Sequence, residues 1–69
     1  MNEVTMYETV INGMFYRSMI MLTSVGYSLD IWIYDPETGK HPVSYKTYSS
    51  RKAAESAMKR KYGNDWRVL

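Results

Sequence analysis

Apolar and polar positions alternate along roughly the first two-thirds of the chain, and then the period lengthens. Val4 to Ile11 is rich in β-branched residues, and Met14 to Thr23 is a second strand-length run. Between them stands Asn12-Gly13, the pair best suited to the positive φ angles of a type I′ turn, so the two runs predict a hairpin. A two-residue loop sets its register. Ile11 then faces Met14 and Glu8 faces Arg17, a cross-strand charge pair worth about 0.2–1 kcal/mol. Ser24-Val25-Gly26 reads as a three-residue loop with glycine at the left-handed position. Tyr27 to Tyr34 alternates most clearly, with Tyr27, Leu29, Ile31 and Ile33 on one face and Ser28, Asp30, Trp32 and Tyr34 on the other. The turn from Asp35 to Lys40 leads to a fourth strand, Val43 to Tyr48. Placing Ile33 against Val43 puts Asp30 against Lys46, a second matched charge pair.

From Ser49 the pattern moves toward a period of about 3.6. Ser49 or Ser50 can accept a bond from an early backbone N–H and cap a helix from Arg51 to Tyr62, with Ala54, Ala57, Met58 and Tyr62 as its apolar stripe. Gly63 ends it. Trp66 to Leu69 can add a short last strand or pack as a tail. The elements predict one α+β domain over residues 1–69: a four-stranded antiparallel β-meander with one C-terminal helix packed on one face. The alanines let the helix approach the sheet closely.

Carried across the sheet, these registers assign Val4, Met6, Val10, Phe15, Met19, Met21, Leu29, Ile31, Ile33, Val43 and Tyr45 to the helix-covered face. Tyr7, Tyr16, Ile20, Leu22, Trp32, Tyr34, Lys46 and Tyr48 fall on the other. One helix cannot cover both faces, and exposed apolar patches tend to mark interaction sites. The expected partner-binding residues are therefore Tyr16, Ile20, Trp32, Tyr34, Lys46 and Tyr48. Three readings compete with a partner: the β-propensity of tyrosine, cover by the Trp66 tail, and a homodimer.

Composition narrows the function classes. The 69 residues include no cysteine, which removes disulfides, thiolate metal sites and cysteine nucleophiles and makes a reducing cytoplasm the expected location. No apolar run approaches the roughly 18 residues of a membrane span, and the basic-then-apolar pattern of a signal peptide is missing. A domain of this size buries only about 60% of its unfolded surface, too little for a core and a deep substrate cavity together. His41, the single histidine, sits beside Pro42 in a turn, and the acids are scattered without metal spacing. Thr38-Gly39-Lys40 lacks the glycine-rich approach and following helix of a phosphate loop, and Ser49 and Ser50 read as caps. The expectation is a non-enzyme without cofactor or metal. The net charge of +2 permits nucleic-acid binding without demanding it. The basic residues Arg51, Lys52, Lys59, Arg60 and Lys61 form either a solvated helix face or a contact for phosphate or an acidic protein.

Two resemblances add to this. The turn Asp35-Pro36-Glu37-Thr38-Gly39-Lys40 and the run Tyr48-Ser49-Ser50-Arg51-Lys52-Ala53-Ala54-Glu55 make residues 27–62 similar to the arm-type DNA-binding domain at the N-terminus of tyrosine integrases. That resemblance implies a sheet that enters the major groove, with Lys40, Lys46, Arg51 and Lys52 on nucleic acid. In size, and in the ending Trp66-Arg67-Val68, the chain also resembles small phage proteins that inhibit host enzymes or defence complexes, such as anti-CRISPR or RNA-polymerase inhibitors. This second resemblance implies a non-enzymatic inhibitor in the host cytoplasm. It would occlude a host protein or nucleoprotein complex with the aromatic sheet face. The alternatives are a small DNA-binding protein of the arm-type class and a homodimeric structural accessory protein.

Overall fold

The computed structural model describes residues 3–69. Strands β1 (Val4–Ile11), β2 (Met14–Thr23), β3 (Gly26–Asp35) and β4 (Gly39–Tyr48) are followed by helix α1 (Arg51–Tyr62) and strand β5 (Arg67–Val68). The α+β class holds. The four-stranded meander is present, and the short last strand that Trp66 to Leu69 could add forms as well: Arg67 and Val68 pair antiparallel with Glu8 and Tyr7 outside β1, so the sheet has five strands in the order β4-β3-β2-β1-β5.

The first hairpin forms in the expected register, Ile11 opposite Met14 and Glu8 opposite Arg17. Asn12 and Gly13 both take positive φ, 52° and 80°, as a type I′ turn requires. Arg17 Nε donates to Glu8 Oε2 at 2.9 Å.

The second hairpin corrects the expected register. Thr23 pairs directly with Gly26, so the loop is Ser24-Val25 and Gly26 belongs to the strand. The Thr23 hydroxyl donates to the Gly26 carbonyl at 2.8 Å and accepts from the Val25 N–H at 3.2 Å, which closes this shorter loop. Gly26 has φ +135°, and a Cβ there would lie 2.5 Å from the Tyr48 carbonyl oxygen, so only glycine fits. Ile20 therefore opposes Leu29 and Ser18 opposes Ile31, where the longer loop would have set Met21 and Met19. Because side chains alternate with period two, this one-residue difference turns β1 and β2 over relative to β3.

The third hairpin differs as well. Lys46 opposes Leu29 and Tyr45 opposes Asp30, so the expected Asp30–Lys46 pair does not form and the two side chains stand on opposite faces. A bulge between Ile31 and Trp32 leaves Val43 without a partner, and Ile33 faces His41 instead.

The helix covers the face bearing Tyr7, Ile20, Leu29 and Ile31, with Ala54 and Met58 completing the buried core. Of the expected core, Leu29, Ile31 and Ile33 lie on this face, whereas Val4, Met6, Val10, Phe15, Met19, Met21 and Tyr45 lie on the other. Shape explains the choice better than hydropathy. Ser18 is fully buried beneath the helix and its Oγ lies 2.9 Å from Met58 Sδ. With Ala54 above it, this small residue allows a close approach that a methionine face would not.

Ser50 caps the helix, its side chain accepting from Ala53 N at 3.1 Å, and Gly63 N donates to the Lys59 carbonyl at 2.8 Å. Arg51 ties the helix start to β1. Its guanidinium meets Glu3 at 2.6 Å and Thr5 Oγ1 at 2.9 Å, with Glu55 4.0 Å away. The Tyr7 hydroxyl donates to Glu55 Oε2 at 3.0 Å. Burial, first, and then the Glu55 carboxylate raise the Tyr7 phenol above its ordinary pKa.

Candidate binding surfaces

The helix-free face is where β1, β2 and β3 place what the helix does not bury. Neighbouring strands set Val4 beside Met21, Met6 beside Met19, and Val10 beside Phe15 and then Tyr34. Val4, Val10, Phe15 and Tyr34 are all substantially exposed, and Tyr45, at the rim, is 66% exposed. The tail tryptophan does not cover them, and from the C-terminal segment Arg67 reaches this face at Glu8. Trp66 packs with the helix-side cluster, edge-on to Tyr62 at 6.2 Å, while Tyr62 lies 5.6 Å from Tyr16.

Charge crosses this face as a row that is mostly satisfied internally. Arg67 Nη2 reaches Glu8 Oε1 at 3.0 Å and Arg17 reaches its other oxygen at 2.9 Å. The Arg17 hydrogen bond, more than any other influence, holds the Glu8 carboxyl below the usual carboxylate range. Arg17 also stacks on Tyr34 at 4.7 Å and Lys40 on Trp32 at 4.6 Å. Asp30 is the exception. It lies in a row with Met19 and Tyr45 and makes no ion pair among the described residues.

The expected partner-binding set is thus divided between two faces. Trp32 and Tyr34 stand on the open face, although Trp32 is only 8% exposed under its neighbours. Tyr16, Ile20, Lys46 and Tyr48 stand on the helix side. Ile20, at 0% exposure, is core and cannot touch a partner. The residues that replace them on the open face are Phe15, Met19, Met21 and Tyr45. Their apolar character is visible in the sequence, but the side of Phe15, Met19 and Met21 depends on the loop at Ser24-Val25, and that of Tyr45 on the third hairpin and its bulge at Val43.

The residues expected on nucleic acid also separate. Lys40 lies on the open face and Lys46 on the helix side. Arg51 is engaged by Glu3 and Thr5, and Lys52 is exposed on the helix. Of the nine lysines and arginines, Arg17, Arg51 and Arg67 pair with carboxylates. Lys40, Lys46, Lys52, Lys59, Arg60 and Lys61 make no ion pair among the described residues. Lys59, Arg60 and Lys61 occupy the last turn of the helix, where cations complement the macrodipole.

A second feature is a groove of about 550 Å³ between β4 and the end of the helix. Leu29, Ile31 and Ala57 give it apolar walls, with Lys46, Arg60 and Lys61 among its lining residues. Among the described residues no group of histidine, cysteine, aspartate or glutamate could hold a metal ion, and no helix is long and apolar enough to cross a membrane. His41 lies in β4 opposite Ile33 rather than in the turn, and its Nε2 is hydrogen-bonded to Thr38 Oγ1 at 2.6 Å at the exposed end of the hairpin. No protein-family model matches the chain, and no curated protein or solved structure matches it either.

Proposed function

We propose that this chain is a non-catalytic binding domain that docks its open sheet face on a partner protein and acts by occluding the surface it covers. One observation carries the reading. Helix and C-terminal tryptophan both lie on the same side of the sheet, which leaves Val4, Val10, Phe15, Tyr34 and Tyr45 exposed with methionines between them. Apolar faces of this kind tend to be interaction sites. Methionine adapts to irregular surfaces, and tyrosine and tryptophan dominate binding energy at interfaces.

Charge favours a protein over a nucleic acid at this face. Arg17 and Arg67 are already spent on Glu8, and Asp30 would repel phosphate. An incoming protein that placed an arginine or lysine against Asp30 would complete the only carboxylate there without a partner among the described residues. This fits the small-inhibitor reading better than the arm-type DNA-binding one.

The test compares face variants. Phe15→Asp with Tyr34→Asp changes the open face, and Lys52→Glu with Lys59→Glu changes the helix. An affinity-tagged chain should retain a protein partner in defined ratio, lose it with the first pair and keep it with the second. Capture unaffected by Phe15→Asp and Tyr34→Asp would refute the assignment. Salt-sensitive duplex binding abolished by Lys52→Glu and Lys59→Glu would move the function to nucleic acid. Light scattering showing a dimer that Phe15→Asp dissolves would assign the face to self-association.

A further inference from the structure

We propose a second binding site, independent of the open face: the outer edge of β4 from Ser44 to Tyr48 accepts an extended acidic segment of another protein as an added strand. β4 is an edge strand. Its first half is protected, since Pro42 has no N–H to offer and the bulge at Val43 interrupts the ladder. Beyond the bulge the pairing is regular from Ser44 to Tyr48.

The alternation of the ladder identifies the free groups. Leu22 N donates to Glu3 O, and Leu69 N donates to Met6 O. Odd residues of β1 therefore bond toward β2, and the same alternation, followed through the registers, aims Ser44, Lys46 and Tyr48 at β3. The N–H and C=O groups of Tyr45 and Thr47 point away from the sheet, without a backbone partner among the described residues, at residues that are themselves exposed.

The side chains beside this edge define the occupant. On the helix side an added strand would lie along the groove, against Lys46, Arg60 and Lys61, none of which makes an ion pair among the described residues. On the other side it would lie against the exposed ring of Tyr45. Side chains of a strand alternate between faces, so the fitting segment carries acids at every second position and apolar residues between them. A second copy of this chain does not fit. Antiparallel pairing of two β4 edges about a two-fold axis near Lys46 would set Lys46 against Lys46, with the helix-end cations close by, and like charges across a ladder repel. Lys46 and Pro42 thus guard the edge against self-pairing, while the same charge favours an acidic strand.

The experiment uses the whole chain, labelled with ¹⁵N, and an end-blocked peptide of alternating glutamate and valine. The lysine–valine analogue and a mixed-sequence single-stranded oligonucleotide are controls. The glutamate peptide should shift the Tyr45 and Thr47 amides to saturation. Thr47→Pro, which removes an outward N–H and leaves the bonds to β3 in place, should weaken it about tenfold. Lys46→Glu with Lys61→Glu should weaken it by a similar factor and admit the lysine peptide instead. Unchanged amide positions in β1 and β2 establish that each variant is folded. If Thr47→Pro does not fold, the charge-reversal pair and the two peptides decide alone. The proposal is overturned by any of three results: no shift at Tyr45 and Thr47 with millimolar glutamate peptide, equal binding of the lysine peptide to the unaltered chain, or tighter binding of the oligonucleotide at the same amides.

Discussion

Replacing Ile20 and Met19 separately by alanine tests the parity on which the open face depends. Ile20 is 0% exposed, opposite Leu29 and under the helix. Met19, the next residue, is half-buried on the open face, between Met6 and Asp30. Ile20→Ala removes the equivalent of about three methylenes at about 0.8 kcal/mol each, or roughly 2.4 kcal/mol of transfer free energy. The cavity left against Leu29 and Met58 brings the loss to about 3–4 kcal/mol. A domain of 69 residues has a total stability of roughly 3–10 kcal/mol, so this is a large fraction of it. With the shallow urea slope of a small domain, about 1 kcal/mol per molar, the unfolding midpoint should fall by about 3 M or the variant should be unfolded in buffer. Met19→Ala should cost about 1 kcal/mol, since much of its side chain faces water in the folded state too. Equilibrium urea unfolding followed by tryptophan fluorescence and far-UV dichroism measures both. Equal losses, or a larger loss for Met19→Ala, would show that the second hairpin pairs in the other register and that the open face is wrongly drawn.

Three further outcomes follow from the same contacts. Gly26→Ala places a Cβ 2.5 Å from the Tyr48 carbonyl at φ +135°. It should cost at least about 2 kcal/mol, whereas an alanine at an unstrained strand glycine stabilises by about 0.5–1 kcal/mol; a neutral effect in the urea midpoint would contradict the close approach. Glu8 is held below the ordinary glutamate range, chiefly by Arg17. Its contribution to stability is therefore complete above that range and is lost as pH falls through the lowered native value. Glu8→Gln should flatten the urea-midpoint profile on the acid side, and superimposable profiles for the two proteins would remove the pairing. Tyr7→Phe deletes a hydrogen bond to Glu55 and should cost about 1 kcal/mol or somewhat more because the acceptor is charged. In the unaltered chain burial keeps the Tyr7 phenol protonated beyond the ordinary tyrosine range. The stability this gives is present below that range and is lost as pH rises through the native value; an absorbance titration with no late-titrating tyrosine would refute it.

Much of the architecture is local and was legible residue by residue. Alternation marks the strands, Asn12-Gly13 demands its turn, and that turn sets Glu8 against Arg17 because a two-residue loop leaves one register. The Ser50 cap, the alanine-rich stripe and Gly63 delimit the helix for the same kind of reason: each acts within a few residues of itself. The second loop was not legible. Ser24-Val25-Gly26 is compatible with either loop length, and the choice rests on a Thr23 hydroxyl that bonds both ends of the turn and on a glycine pressed against Tyr48, 22 residues away in the chain. Which alternate set the helix covers was equally hidden. Hydropathy favours the methionine and phenylalanine face, but packing selects the one where Ser18 and Ala54 let helix and sheet meet. The sequence by itself thus determined that some sheet face would be left apolar and open. Only the tertiary structure decided which residues compose it, because a period of two makes each strand's face hang on the parity of the loop or bulge that joins it to its neighbour.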